Sequence, residues 1–332
     1  MKTPRMLCIT IIALGFAMGI LASCAHTGTG QVNGTPVPIP EQTPARPVPG
    51  PGQSDDSAYR AYLEDLLVEK GMDRVKVHTM LNDPRVVIDP KFIVKSLFNT
   101  SPGVTASKSN IMYYSPRFIP RGRLFIEENR ETFDCVRAEY GISPEIITAI
   151  LIIESKLGTY DEGYRAFPVY VNLALANDPR VLSELQDAHG VKYPGLYNEG
   201  LIKKAQSRGK WALKELQDLI LLADKLQYDP LEFKSSNAGA LGPAQFIPTT
   251  FMNFGRDGDS DGKADPFSMP DAIASTANYL KKAGWTETGP EEKRRTAIWI
   301  YNHSAIYVNT ILKLYGELVL AGAPGIQAEK GF

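Results

Sequence analysis

One helical run restricts the fold more than any other part of the chain: Ser143-Pro-Glu-Ile-Ile-Thr-Ala-Ile-Leu-Ile-Ile-Glu-Ser-Lys-Leu-Gly158. Ser143 is a natural N-cap, Pro144 suits the first helical position, Glu145 complements the dipole and Gly158 suits the position just past the end. Ile147, Ile150 and Leu151 lie seven, four and three positions before Glu154, so the face carrying Glu154 is oily and belongs against a core. A carboxyl on such a face is paired, protonated or functional, because burial disfavours its charged form. Taken alone it reads equally well as a helix-end glutamate in an ion pair.

The body around this run is expected to be mostly α. Residues 57–67 place Tyr59, Tyr62, Leu63, Leu66 and Leu67 on one face behind Ser57 as a cap. Residues 124–140, 211–226 and 310–320 are also helical in period, whereas strand-like alternation is scarce and no repeat of solenoid length occurs. Four histidines are dispersed, and no nucleophile elbow, zinc-protease motif, Walker loop or dinucleotide fingerprint is present. The chemistry left to the chain is that of carboxylates and amides.

The first 23 residues have the form of a secretion signal, Lys2 and Arg5 preceding an apolar stretch from Met6 to Leu21. Its end, Leu21-Ala-Ser-Cys24, resembles a bacterial lipobox. That resemblance implies cleavage before Cys24, a lipid on Cys24 and a protein anchored in the cell envelope; Ala25 after the cysteine favours the outer membrane, facing the periplasm. Loss of Lys2 and Arg5 takes the formal charge from −1 to −3, and with no basic run nucleic acid is not an expected partner. Of three cysteines Cys8 leaves with the signal and Cys24 carries lipid, so Cys135 has no partner for a disulfide and is expected as a small buried hydrophobe. Residues 24–56, with seven prolines between Pro36 and Pro51, are too poor in bulky apolar side chains to fold and form a tether. The folded body is expected over 57–323, with a tail at 324–332.

A Gly/Pro loop follows at Asn237-Ala-Gly-Ala-Leu-Gly-Pro-Ala-Gln-Phe-Ile-Pro248. Gly239 and Gly242 permit close approach, the Gln245 amide both donates and accepts, and Phe246 is expected to offer a flat face to a sugar ring. By itself this is simple turn structure. With Tyr140-Gly-Ile-Ser-Pro-Glu-Ile-Ile-Thr-Ala-Ile150 leading to Glu154, then Ser236 to Pro248, Asp271-Ala-Ile-Ala-Ser-Thr-Ala-Asn-Tyr-Leu280, Gly284-Trp285 and Tyr301-Asn-His-Ser-Ala-Ile-Tyr307, the chain resembles the lytic murein transglycosylase B family. The resemblance implies a lysozyme-like helical core acting as a monomer on peptidoglycan glycan strands, without a catalytic cofactor. Carried over, Glu154 is the acid and base, Ser236 orients it, and Gln245, Tyr279, Tyr301 and Asn302 line the glycan cleft. Asn237 stands where an aromatic is usual and Leu241 where methionine is usual. Residues 164–204 exceed the compact members and are expected as an additional lobe. Two other readings stay open, a hydrolytic muramidase on the same fold and a non-catalytic glycan-binding lipoprotein. Asp161 and Glu162 are taken as exposed loop charges.

Asp257-Gly-Asp-Ser-Asp-Gly-Lys-Ala-Asp265 follows the opening of an EF-hand loop. Asp257, Asp259 and Asp261 take positions 1, 3 and 5, Gly262 the turn, Lys263 the carbonyl position and Asp265 position 9. Position 12 is Ser268, which suits a helix cap paired with Asp271. Four carboxylates this close repel unless a cation neutralises them, so a weak structural Ca²⁺ site is expected, the alternative being a solvated acidic turn.

Overall fold

The computed structural model describes residues 56–89, 91–98, 114–160 and 163–323. The signal, Cys24, the tether up to residue 55, Asp161, Glu162 and the tail lie outside the described residues. Helices α1 (Asp56–Glu69), α2 (Arg74–Leu81) and α3 (Lys91–Phe98) come first, then α4 (Phe118–Glu128), α5 (Arg130–Tyr140) and α6 (Pro144–Ser155). A short strand β1 (Tyr164–Arg165) leads into α7 (Ala166–Ala174), α8 (Pro179–His189) and the long α9 (Glu199–Leu226). Strand β2 (Lys234–Ser235) pairs antiparallel with β1, Tyr164 opposite Ser235 and Arg165 opposite Lys234. The remainder is α10 (Pro248–Phe254), α11 (Met269–Lys282), α12 (Glu291–Tyr301) and α13 (Ala305–Gly322).

The apolar run is the central helix. Ile146, Ile147, Ala149, Ile150 and Leu151 of α6 are all fully buried, so the helix is covered all round and not on one stripe alone. Its isoleucines are β-branched and cost helix propensity, yet α4, α11 and α13 pack on it and decide the conformation. Gly122 of α4 permits the closest approach: a methyl group there would sit 2.8 Å from Leu318 and 3.2 Å from Ile152.

Three details depart from expectation. Ser57 lies inside the first turn of α1, which starts at Asp56. The helix expected over 124–140 is broken at Asn129, whose amide side chain donates to the Phe125 carbonyl at 2.9 Å, as a competing side chain does at a helix end. Cys135 is exposed on α5, because α5 turns Phe133 and Val136 to the core and Cys135 away from it. Residues 164–204 form β1, α7, α8 and the start of α9; Phe167, Tyr170 and Val171 of α7 are fully buried and α7 packs along α9.

Candidate active site

Both ends of α6 are tied down by other parts of the chain. At its start the Ser143 hydroxyl makes no cap bond. The Ser143 N–H instead donates to Glu287 Oε1 at 2.8 Å, and Glu287 also accepts from Trp285 Nε1 at 2.9 Å and from the Tyr315 hydroxyl at 2.7 Å. At its end, Lys156 (φ 52°), Leu157 (φ 61°) and Gly158 (φ 76°) are left-handed in succession. Two of these carry side chains that disfavour the conformation, at about 1–2 kcal/mol each. The Leu157 N–H closes on the Leu151 carbonyl at 3.0 Å and the Gly158 N–H on Ser155 Oγ at 2.9 Å, which holds the reversal in place.

Glu154, on the last turn, is half-buried. The Tyr307 hydroxyl, from the first turn of α13, donates to its Oε1 at 2.6 Å. Burial pushes the carboxyl up to about 7, and the Tyr307 bond, which favours the charged form, pulls in the opposite direction. Among the described residues no second carboxylate acts on it. Burial and the nearby Glu154 charge hold the Tyr301 and Tyr307 phenols far above their usual range, so Tyr307 remains a donor.

The loop from Ser236 to Pro248 is built by backbone contacts that only glycine allows. Gly239 (φ 87°) lies against Tyr170, whose hydroxyl donates to the Gly239 carbonyl at 2.8 Å. Gly242 (φ 58°) lies against the backbone of Pro266, where an added Cβ would fall 1.8 Å from the carbonyl oxygen. Gln245 is itself left-handed (φ 50°), and its Nε2 donates to the Gly242 carbonyl at 2.9 Å. The Tyr301 hydroxyl donates to the Ala244 carbonyl at 2.7 Å and the Tyr279 hydroxyl to the Ile300 carbonyl at 2.9 Å, locking α11 and α12 to the loop.

Two expected roles change. Phe246 offers no face to a ligand: it is 3% exposed, with its ring centroid 5.5 Å from Tyr279 and 5.6 Å from Tyr301. As the apolar residue of a tight loop it is the plug that joins the loop to the aromatic cluster. Ser236 does not hydrogen-bond Glu154; its Oγ accepts from the Ala238 and Ala240 N–H groups at 3.3 and 3.2 Å and so shapes the Gly239 turn. Asn302 is exposed where α12 ends. Tyr307, which had no role in the sequence reading, is the partner of Glu154. Its signal was there, six residues after Tyr301 behind the Ser304 cap, but the break between α12 and α13 hides which way it faces.

The acidic loop also regroups. Asp257 accepts from the Ser260, Asp261 and Gly262 N–H groups at 2.6, 3.2 and 2.8 Å. Asp261 accepts from the Lys263 N–H and Asp265 from the Phe267 N–H, both at 2.8 Å. The carboxylate oxygens that converge, within 4.8 Å of one another, belong to Asp257, Asp259 and Asp271. Ser268 caps α11 as expected, but Asp271 does not return a bond to it. Asp271 turns to the loop, accepting from Gly258 N and Asp265 N at 2.7 Å each. Burial raises its pKa, with Asp259 and Asp257 adding to the rise.

With this geometry in view, comparison with known proteins is specific. The profile described as Transglycosylase SLT domain matches residues 55–294, a span that contains Glu154 and the loop but stops before Tyr301 and Tyr307. The membrane-bound lytic murein transglycosylase B of Escherichia coli strain K12 is 27% identical over 175 residues, 53% of this chain; the match spans 41% of that protein's length. Escherichia coli Slt35, in a structure with calcium, superposes with a TM-score of 0.62 at 20% identity, covering 79% of this chain and 93% of that one. Pseudomonas aeruginosa SltB3, in a complex with NAG-NAM-pentapeptide, superposes with a TM-score of 0.59 at 19% identity, covering 82% and 81%. These two structures share the fold.

Proposed function

This chain belongs to the transglycosylase SLT domain family, and on that premise we propose that it is a peptidoglycan lytic transglycosylase with Glu154 as its single acid and base. The observation that carries the reading is the half-buried Glu154 carboxyl, raised to about 7, held by a phenol and, among the described residues, acted on by no second carboxylate. Ordinary glycosidases use two carboxylates, one as acid and one as base or nucleophile. Here the substrate supplies the second function. Protonated Glu154 donates its proton to the oxygen joining N-acetylmuramic acid to N-acetylglucosamine, and the bond from that oxygen to the muramic C1 breaks. The acetamido carbonyl oxygen of the muramic residue stabilises the cationic centre. Glu154, now a carboxylate, takes the proton of the 6-hydroxyl as O6 bonds to C1 and closes the 1,6-anhydro ring. The proton lent in the first step is recovered in the second. Mass analysis of digested peptidoglycan is the test: 1,6-anhydro ends are expected. Reducing ends would make the protein a hydrolytic muramidase, and no release would make it a glycan-binding protein.

Because Glu154 must carry its proton to start the cycle, kcat/KM is expected to fall about tenfold per pH unit above pH about 7. The Tyr307 bond favours the carboxylate, so Tyr307→Phe should move this alkaline limb to higher pH. A pH–rate profile with the limb unmoved, in a folded variant, would remove Tyr307 from control of the acid.

The acidic loop is proposed to hold one structural Ca²⁺ through Asp257, Asp259 and Asp271. Converging carboxylate oxygens, one set on a buried residue, suit a hard cation with oxygen ligands. The ion would offset two of the three carboxylate charges and pin the loop to α11, with no part in bond cleavage. Added Ca²⁺ should stabilise the fold by RT ln(1 + [L]/Kd) and so raise Tm, with response near ~10⁻⁴–10⁻³ M, and Asp259→Ala should abolish the response. Scanning calorimetry without a calcium-dependent shift, from metal-free protein, returns the loop to a solvated turn. The lipid on Cys24 and placement at the outer membrane are likewise part of this proposal. They rest on the lipobox-like Leu21-Ala-Ser-Cys24, and an unacylated mature N-terminus by mass spectrometry would refute them.

A further inference from the structure

The Glu154 end of α6 is not the only place where α13 grips that helix. Tyr307, on the first turn of α13, bonds to Glu154 on the last turn of α6. Farther along α13, the Tyr315 hydroxyl donates to Glu287 Oε2 at 2.7 Å, and Oε1 of the same carboxyl accepts from the Ser143 N–H at 2.8 Å, where α6 begins. The two helices therefore run antiparallel and are tied at both ends, once directly and once through Glu287. From Tyr307 to Tyr315 a helix rises about 12 Å, and from Ser143 to Glu154 about 16 Å, so the ties span the interface from end to end. Between them Ile311 and Leu314 of α13 are fully buried, as are Ile147, Ile150 and Leu151 of α6. Such apolar contacts attract without direction, whereas a hydrogen bond weakens steeply as it lengthens or bends. Glu287 is itself held: Trp285 Nε1 donates to its Oε1 at 2.9 Å, and the Trp285 and Tyr315 rings meet edge-on with centroids 5.4 Å apart. Burial and the Glu287 charge push the Tyr315 phenol up to about 12, so its hydroxyl stays a donor.

We propose that Tyr315 and Glu287 are positioning residues for the acid: by fixing how far α13 can slide along α6, they hold the Tyr307 hydroxyl at its bond to Glu154. The inference rests on the lytic reading above and adds to it two residues remote from the bond being cut. The link is mechanical and not electrostatic. Tyr307 bonds to Glu154, and among the described residues no charged group, Glu287 included, adds to the raised pKa of that carboxyl. The other groups on elements around α6 are engaged elsewhere. The Tyr301 phenol senses the Glu154 charge but donates to the Ala244 carbonyl, and the Tyr279 hydroxyl donates to the Ile300 carbonyl. Arg121 and Arg123 of α4 bind Thr159 and Glu145, Asp271 of α11 turns to the acidic loop, and Lys156 stands over the Tyr160 ring. Around the bridge, Arg294 reaches the Glu287 backbone carbonyl at 3.5 Å, and Arg294 and Glu145 act on Tyr315 in opposite directions.

The test is the alkaline limb of kcat/KM, with the Glu154 carboxyl titrated in parallel by NMR on glutamate-labelled protein and assigned by its loss in Glu154→Gln. Tyr315→Phe removes one hydroxyl and keeps the ring against Trp285. It should move the limb to higher pH by about 0.4–1 pH unit, the range one weakened hydrogen bond allows, because the bond it loosens favours the carboxylate. Glu287→Gln should move the limb the same way. Loss of a negative charge acting through space would lower the Glu154 pKa and move it the opposite way. On the acid side of the limb KM should stay at its wild-type value, since neither side chain touches the glycan. Added to Tyr307→Phe, Tyr315→Phe should shift the limb no further, because the bond it positions is already gone. A folded Tyr315→Phe variant that melts lower yet keeps the wild-type limb would reduce the bridge to a structural role and overturn the proposal. So would shifts that add in the double variant, or a limb displaced to lower pH. Should either single variant fail to fold, the other decides. If the wild type releases no anhydro product, the lytic reading has failed, and the bridge is judged by the carboxyl titration alone. An unmoved Glu154 titration in Tyr315→Phe would overturn it there.

Discussion

Glu154→Gln is expected to abolish glycan cleavage, lowering the rate by about 10²–10⁴-fold or more, in a protein that still folds and still holds its glycan. Glutamine keeps the shape of the side chain and an oxygen for the Tyr307 hydroxyl, but it has no proton to lend. The same variant should be more stable than the wild type at alkaline pH. The carboxyl titrates near 4.5 when unfolded and near 7 when folded. Between those values the folded state keeps a proton that the unfolded state has lost, so wild-type stability declines as pH rises through that window. A gap of this size corresponds to about 3 kcal/mol at 1.36 kcal/mol per pH unit. Glutamine does not ionise, so denaturant unfolding at pH 8 should show Glu154→Gln ahead of the wild type, with the two close together at pH 4. A well-folded Gln variant with near-normal turnover would remove Glu154 from the chemistry. Equal stabilities at pH 8 would mean that the carboxyl does not feel its burial.

Gly242→Ala should be the most damaging single-methyl change in the loop. The new Cβ would fall 1.8 Å from the Pro266 carbonyl oxygen and 2.8 Å from its carbon, and both are backbone atoms. No side chain can swing aside, and φ of 58° is itself unfavourable for alanine. The loop has to move as a unit, taking with it the Gln245 amide that bonds to Gly242 and the Ala244 carbonyl that holds Tyr301. A loss of about 3 kcal/mol or more is expected, together with at least about tenfold lower kcat/KM. Gly262→Ala is the control. Its φ is 92° but nothing lies within 4 Å of the added methyl, so it carries the backbone cost alone, about 1 kcal/mol. Paired thermal melts and turnover measurements separate the two. Gly242→Ala behaving like Gly262→Ala would show that the loop does not depend on the Pro266 contact.

The helical class and Glu154 were legible because both are local. An apolar run of helix length with one acid at its end advertises itself, and the Gly/Pro loop is marked by residues needed for its backbone. What could not be read depends on which face meets which neighbour. Phe246 looks like a platform in sequence because nothing shows Tyr279 and Tyr301 closing over it. Ser236 spends its oxygen on its own turn, and that is decided by the path of the loop. Asp271 looks like a capping residue from its spacing to Ser268, while its carboxylate turns to a loop that begins fourteen residues earlier. Cys135 faces solvent because α5 is covered on one side only, a matter of which neighbours pack on it.

The bond between Tyr307 and Glu154 joins residues 153 positions apart, and the loop that shapes the cleft comes from the sequence between them. Such distant contacts form late, since the intervening chain must close before they can be made. During synthesis, a chain that has reached α11 can already possess a well-packed α6 and still lack the donor for its acid. Because α13 also packs along α6, the burial that holds the Glu154 proton is complete only when the last helix has docked. On the lytic reading proposed above, truncated or half-folded copies would be harmless ones. Pulse-labelled chains stopped before residue 307 should be inert, even where the helices up to α11 resist protease.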